Sequence, residues 1–343
     1  MQVNRSGIDL SKSSFQVHSI DTEEKPVITK KLRRSQVLGL FEKLPPHLIG
    51  IEACGTAHHW ARELGKLGHT VRLIPARDVK AYVKRGKNDA ADAEAICEAV
   101  GRPGVRTVPV KSEAQQTALL PHRTRDLLIR QRTQASNALR AHLAEFGIVA
   151  AQGREGFKAL LVIVDAASDP RLPAAAYEVL RVLAGQVSRI EVGIAALERQ
   201  IHAQFRANPD CRRLETIMGV GVITATALVA TVHDPKMFAA GRDLSAWIGL
   251  VPRQESTAGK PRLGPISKQG DRYLRRLFIT GAHAVIRQAR LKPEKHDPWL
   301  IELMKRKSTN LAAVALANKM ARTAWALLVN GETYRRPQLV AAA

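Results

Sequence analysis

Four acidic residues, Asp9, Glu52, Asp89 and Asp92, stand in this sequence where their carboxylates could act together. Asp9 lies in an apolar stretch, GIDL, where a charge is costly to bury without compensation. Glu52 ends a second apolar stretch, LIGIE. Asp89 and Asp92 are three residues apart in NDAADAEAICEAV, so a helix there turns both carboxylates to one side. Left alone the two repel, and a cation belongs between them. A sheet that sets the two apolar stretches side by side, crossed at their ends by that helix, gathers four hard oxygen donors of the kind that suits Mg2+ or Mn2+. Two such ions about 3.5–4 Å apart activate an attacking oxygen and stabilise a leaving one on a phosphate. The alternative is that Asp9 caps a turn while the other acids pair with Lys84, Arg85 and Lys87.

A second group lies in PRQESTAGKPRLGPISKQGDRYLRR. Ser256 and Thr257 stand among Arg253, Lys260, Arg262 and Lys268, with Arg272, Arg275 and Arg276 close behind. A hydroxyl among fixed cations suits nucleophilic attack on a phosphodiester through a covalent intermediate. It equally suits a loop that grips phosphate and does nothing more, and residue types leave both open. A third group is TIMGVGVITATALVA, where Gly219 and Gly221 separate two helical segments. It resembles a helix-hairpin-helix, in which backbone N–H groups meet a phosphate at a helix N-terminus; a turn chosen for tight packing is the plain alternative. His58 and His59 are adjacent and point apart on a helix, so they make no metal pair.

The elements that must position these groups begin with alternating strands and helices. SGIDLSKSSFQVHSID reads as two strands and a tight turn, LIGIEA and TVRLIP as further strands, and TAHHWARELGKLG as a helix closed at Gly68. Asn88 is placed to cap the helix bearing Asp89 and Asp92. The alternation predicts an α/β domain with a mixed or parallel sheet. From Lys111 to about Gly147 the pattern is helical and basic, with Pro121 expected to start or kink the helix. A glycine-rich break to Gly156 and a stretch around Pro170 follow. Then Leu180, Leu183, Val187, Ile190, Ile194, Leu197 and Ile201 recur at alternating spacings of three and four, a heptad seam that fits either a coiled coil or a buried edge of a helical bundle. Helices fill most of the remainder, predicting a mainly α C-terminal part. Expected boundaries are 1–110, 111–206 and 207–335.

Composition narrows the partners. The chain has 343 residues, 53 Lys and Arg against 31 Asp and Glu, and a net charge of +22. From Val251 onward 18 basic residues face 6 acidic ones. Such an excess points to nucleic acid, because clustered cations release the counterions condensed on phosphates. No stretch approaches the roughly 18 apolar residues of a membrane span, and no signal-peptide core precedes the first strand. Cys54, Cys97 and Cys211 are few and far apart, as expected of a reduced, cytoplasmic, nucleoid-associated protein.

Taken together, GIDLSKSSFQVH, IGIEACGTAHHWARELGKLGHTVRLIP, KRGKNDAADAEAICEAV, GVGVITATAL and WIGLVPRQESTAGKPRLGPISKQGDRYLRRL resemble, in that order, the DEDD-type insertion-sequence transposases related to the Piv DNA invertase. Studied members of that family are guided by a bridge RNA. The resemblance implies a RuvC-like N-terminal domain of RNase H fold with its acidic tetrad on Asp9, Glu52, Asp89 and Asp92. It implies a helical coiled-coil region next, then a C-terminal transposase domain with its serine nucleophile on Ser256. Donor and target DNA, a guide RNA and a dimer or tetramer, with tetrad and serine supplied by different subunits, are the partners it implies. Lys87, Gly219, Gly221, Arg253, Lys260, Arg262, Lys268, Arg272, Arg275 and Arg276 are the expected nucleic-acid contacts. Glu255 departs from the pattern by placing a carboxylate beside the nucleophile. Other readings are a RuvC-like nuclease or resolvase that uses water, and a nucleic-acid-binding protein without catalysis.

Overall fold

Apolar alternation around Ile8, Phe15 and Val17 builds the hairpin from which the first sheet grows. In the computed structural model, which describes residues 2–83, 88–232, 234–256, 260 and 262–335, β1 (Arg5–Leu10) runs antiparallel to β2 (Ser14–Ile20), Ile8 opposite Val17. β3 (Pro26–Arg33) continues the meander, and α1 (Val37–Phe41) follows. β4 (Leu48–Glu52) then pairs parallel to β1, α2 (Ala57–Lys66) packs its Trp60, Ala61 and Leu64 under the sheet, and β5 (Thr70–Ile74) pairs parallel to β4. The order is β3-β2-β1-β4-β5, a mixed sheet. A short α3 (Ala76–Lys80) precedes α4 (Asp89–Gly101), which crosses the face opposite α2. Gly68, with φ of +89°, ends α2 as its sequence indicates, since glycine enters the left-handed region without a Cβ clash.

The chain divides into two compact units, Met1–Ala114 and Gln115–Ala343. The second is largely helical. α5 (Glu113–Glu145) begins just before the division and carries Pro121 inside it, eight residues past its start, so the expected start at Pro121 is displaced by two turns. α6 (Arg154–Ala166) occupies what reads in the sequence as a glycine-rich break. α7 (Ala174–Ala207) bears the heptad seam: Leu180, Val187, Ile190, Ile194 and Ile201 are buried, and Leu183 and Leu197 partly so. Leu180 packs with Leu139 and Leu143 of α5 and Leu160 and Val164 of α6. Further along, Arg125 of α5 pairs with Glu198 at 2.6 Å. Much of the seam is therefore covered within the chain.

The second core joins α8 (Pro209–Glu215), α9 (Val222–Thr231), α10 (Gly241–Ile248), α11 (Arg272–Leu291), α12 (Pro298–Arg306) and α13 (Thr309–Asn330) around Leu214, Leu228, Leu244, Phe278 and Ala317. Between α10 and α11 a two-stranded hairpin, β6 (Pro252–Gln254) and β7 (Leu263–Ile266), stands exposed. Among the described residues no helix is long and apolar enough to cross a membrane, and the three cysteines are free.

Candidate active site

Parallel pairing of β1 with β4 sets Gly7 beside Gly50 and Ile8 beside Ile51. The acids that follow, Asp9 and Glu52, come next on adjacent strands, and side-chain alternation puts them on the face of the two glycines. That face is the one α4 crosses. A Cβ on Gly7 would collide with the backbone of Ala93 and Cys97, and one on Gly50 would lie 2.8 Å from the Val100 Cβ. The repeated Gly-Ile-acid triplet is thus the device that lets α4 lie close and brings its first turn over Asp9 and Glu52. The triplet is visible in the sequence as Gly7-Ile8-Asp9 and Gly50-Ile51-Glu52. Asn88 caps the helix as expected, accepting from the Ala91 N–H at 2.8 Å.

The four carboxylates are electrostatic neighbours. Burial pushes the Asp9 carboxyl above its ordinary range, and the charges of Asp92, Asp89 and Glu52 push it further in that order. Burial raises Glu52 too, followed by the charge of Asp92. Lys31 of β3 reaches Asp89 at 3.6 Å, in an exposed pair that contributes little to stability. Lys31, missed by the sequence reading, is the described cation paired with this group, whereas Lys84, Arg85 and Lys87 lie outside the described residues. Buried Gln16 stands directly across from Asp9 on β2. Among the described residues no three His, Cys, Asp or Glu side chains are close enough to hold a metal ion, so the tetrad is a loose group and not a closed ligand cage. Its chemistry fits a hard divalent cation: oxygen donors only, with a mutual repulsion that a cation would relieve.

Ser256 lies just past β6, exposed, in the connection to β7. Its Oγ accepts from Gln254 Nε2 at 3.0 Å and from the Arg262 backbone N–H at 3.2 Å. Both partners are donors, so among the described residues nothing bonded to it takes its proton, while both would favour the oxyanion. A second link closes the loop mouth, Glu255 N–H to the Arg262 carbonyl at 2.9 Å. Thr257 and Ala258 lie outside the described residues.

The expected nucleic-acid contacts separate into two kinds. Arg253, Lys260, Arg262, Lys268 and Arg272 are exposed. Arg275 is not: it is buried, donating to the Ile248 carbonyl at 2.8 Å and the Gln269 carbonyl at 2.6 Å, and burial lowers its pKa. Its expected place on the phosphate-facing surface is corrected, because a guanidinium spent on two backbone carbonyls holds the protein's own loop. Arg276 is half-exposed, paired with Asp126 of α5 and stacked 5.3 Å from the Tyr273 ring. Gly219, with φ of +87°, faces inward: a Cβ there would lie 2.9 Å from both the Gly281 carbonyl oxygen and the Met320 side chain. Packing accounts for Gly219, while Gly221 is exposed at the N-terminus of α9 with open space around its Cα.

Comparison with known proteins finds relatives along nearly the whole chain. Residues 6–148 match the DEDD transposase model of IS110 type, a RuvC-like domain, and residues 211–297 match the model described as "Transposase IS116/IS110/IS902 family". Along 336 residues the chain is 50% identical to a probable family 20 transposase of Pseudomonas aeruginosa, covering 98% of this chain and 99% of the relative. It is 39% identical to the transposase for insertion sequence element IS1111A of Coxiella burnetii, covering 96% and 90% respectively. With the transposase for IS1328 of Yersinia enterocolitica it shares 36% identity over 96% and 98%. With matches running through both units and nearly end to end, the chain belongs to the IS116/IS110/IS902 family of transposases.

Proposed function

We propose that this transposase cuts and rejoins DNA strands with Asp9, Glu52, Asp89 and Asp92 as a metal-binding tetrad and Ser256 as the nucleophile. One observation carries the reading: the in-register Gly-Ile-acid triplets bring Asp9 and Glu52 together beneath the helix bearing Asp89 and Asp92, close enough that all three other charges raise Asp9. The four acids would hold Mg2+ or Mn2+, which when bound neutralises phosphate charge and favours displacement at phosphorus. Ser256 Oγ gives up its proton and bonds to phosphorus, the P–O3′ bond breaks, and the departing oxygen takes a proton as a 3′-hydroxyl. The reverse displacement by another 3′-hydroxyl frees the serine, so bond energy is kept and no nucleotide is consumed. Hydrogen bonds from Gln254 and the Arg262 backbone support Ser256 in this role, since both stabilise the charged oxygen.

The finer assignments belong to the same proposal. Residues 1–110 carry the acids, 111–206 the helical region and 207–335 the serine; Gly221 at the start of α9 and the exposed Arg253, Lys260, Arg262, Lys268 and Arg272 contact phosphates, together with Lys87. A guide RNA selects donor and target DNA, and several strand cuts require a dimer or tetramer. Because much of the α7 seam is covered in cis, the joint between subunits is better sought on its exposed side, where Val179, Val182 and Val192 lie. Denaturing the reacted protein and locating the nucleotide adduct by mass spectrometry tests the reading. An adduct on Ser256 is expected; cleavage without any adduct would assign the reaction to water.

A further inference from the structure

At the carboxyl end of β1 a cleft of about 770 Å3 opens between the β1–β2 turn, the end of β3 and the first turns of α2. Ser13, Ser14, Ser35, Arg33, Arg34 and Trp60 line it, together with exposed His59. No carboxylate is among the lining residues. Arg33 and Arg34 are both exposed, and neither has an acidic partner among the described residues. Arg34 is nonetheless held in place: its guanidinium stacks 5.1 Å from the Trp60 ring and 5.9 Å from that of Phe15. Trp60 itself is only 4% exposed, and its indole N–H is buried without an acceptor among the described residues. A buried donor left without a partner costs free energy, so such groups call for an explanation. One stacked cation, a second exposed cation, three hydroxyls and an orphan donor, with no carboxylate among the lining residues, describe an anion site.

Its place in the sheet says which anion. Ser14 pairs with Arg33, and two residues along β2 from Ser14 is Gln16, the partner of Asp9. At ~3.4 Å per residue the cleft begins about 7 Å along the strand from the acid. Ser14 and its partner Arg33 alternate onto the face of Gln16 and Asp9, whereas Phe15, Trp60 and the stacked Arg34 lie on the α2 face, so the cleft wraps the end of the sheet beside the acids. We propose that this cleft binds a phosphodiester of the nucleic-acid strand that runs to the acidic centre, with Arg33 and Arg34 as the cationic grip and the serine hydroxyls and Trp60 N–H as neutral donors. The proposal rests on the reading of the acidic centre as one that cuts phosphodiesters, and it adds where the neighbouring phosphate is held. DNA and RNA backbones share this chemistry, and the test separates them.

The test uses the full chain in EDTA, so that binding is read without cleavage, with fluorescein-labelled single strands of DNA and RNA of one sequence followed by anisotropy over a salt series. Arg33→Ala/Arg34→Ala should bind about tenfold more weakly and lose roughly 0.7 units of log–log salt slope per phosphate contact removed. Loss for DNA alone or RNA alone names the strand that the cleft holds. Trp60→Phe keeps the ring beneath Arg34 and removes only the N–H; binding should fall a few-fold while the melting temperature stays level or rises. Should the double variant fail to fold, Arg33→Ala and Trp60→Phe carry the measurement. Wild-type affinity and slope for both strands in the folded variants overturns the site. Wild-type cleavage in Mg2+ keeps the two readings apart: if the wild type never cleaves yet the cleft variants lose binding, the cutting role fails and the cleft stands.

Discussion

The acidic group and the serine hairpin are positioned by opposite means. Asp9 and Glu52 are fixed by strand register, by two glycines that admit a helix, and by a core that leaves both half-buried. Ser256 extends from strands of three and four residues, exposed on every side, and is held by two hydrogen bonds and the closure of its own loop. Packing fixes Asp9 and Glu52 on the sheet, so their like charges stay together at a cost. Among the described residues, the serine hairpin is held by few contacts. Under the proposed roles, a tetrad that presents one charge pattern gains from rigidity, and a nucleophile that is joined to a strand and then released gains from an open mount.

The largest test of this contrast is chemical. Asp9→Asn, Glu52→Gln or Ser256→Ala should each reduce strand cleavage by 10^3-fold or more, on the order expected when members of one catalytic unit are removed singly. Binding should be unchanged in all three, and the adduct should vanish in all three. Retained cleavage in excess EDTA would break the metal half of the contrast.

Next come variants that attack the mounts. Gly7→Val forces a branched side chain into the Ala93–Cys97 backbone and should destabilise the first unit by about 3 kcal/mol, the upper end for overpacking, as read by urea unfolding. Gly264→Ala in β7, where a Cβ meets nothing nearer than 3.8 Å, should change stability by under about 0.5 kcal/mol. Comparable losses from both would mean that the hairpin is as tightly packed as the sheet. Arg275→Ala, which strips two carbonyls of their donor, should cost about 2 kcal/mol and leave the salt slope of nucleic-acid binding unchanged. Arg262→Ala should do the reverse, lowering the slope by about one unit with no loss of stability.

The smallest effect concerns pH. Asp9 has a raised pKa in the fold, so its charge opposes folding above that pKa and the opposition disappears as pH falls through it. Asp9→Asn should therefore melt slightly higher than wild type at neutral pH, by an amount that shrinks to nothing as the buffer approaches the carboxylate range. The depressed pKa of His47, which works the other way, is common to both proteins and cancels in the difference. A gap independent of pH would show that the Asn effect is steric.

Much of the acidic group was legible in the sequence because each acid ends an element whose own pattern is strong: β1 and β4 are apolar runs, and α4 opens on a capping asparagine. The less visible pieces lack such patterns. β3, PVITKKLR, is an exposed edge strand with one buried residue, Ile28, so alternation hardly marks it. α6 follows two glycines and its N-cap, Gly153, supplies no side-chain cap, yet Leu160 and Val164 bury well once α5 and α7 are there to receive them. Pro121 signals a helix boundary because it lacks an N–H and crowds the preceding turn, yet α5 carries it internally and buried. Around Ser256 the strands are short, exposed and rich in Pro and Gly, which reads as loop. Arg275 looked like its exposed neighbours because nothing local says that a guanidinium will turn inward; that follows from where the Gln269 and Ile248 carbonyls are brought by the rest of the fold.

The sheet of the first unit also bears on how the chain survives at high local concentration. On one side β5 is partly closed off, with Leu73 bridged to Val108 of the returning chain. The open side is β3, and there Lys30, Lys31 and Arg33 follow one another along the strand, with Pro26 at its start. An unpaired strand edge is a template for another strand, and charge and proline are the usual means of blunting it. Crowded on one stretch of DNA, copies of this chain would meet edge to edge as like charges. The lysine that reaches Asp89 belongs to that same guard, so neutralising Lys30 and Lys31 together should make the protein markedly more prone to β-sheet aggregation.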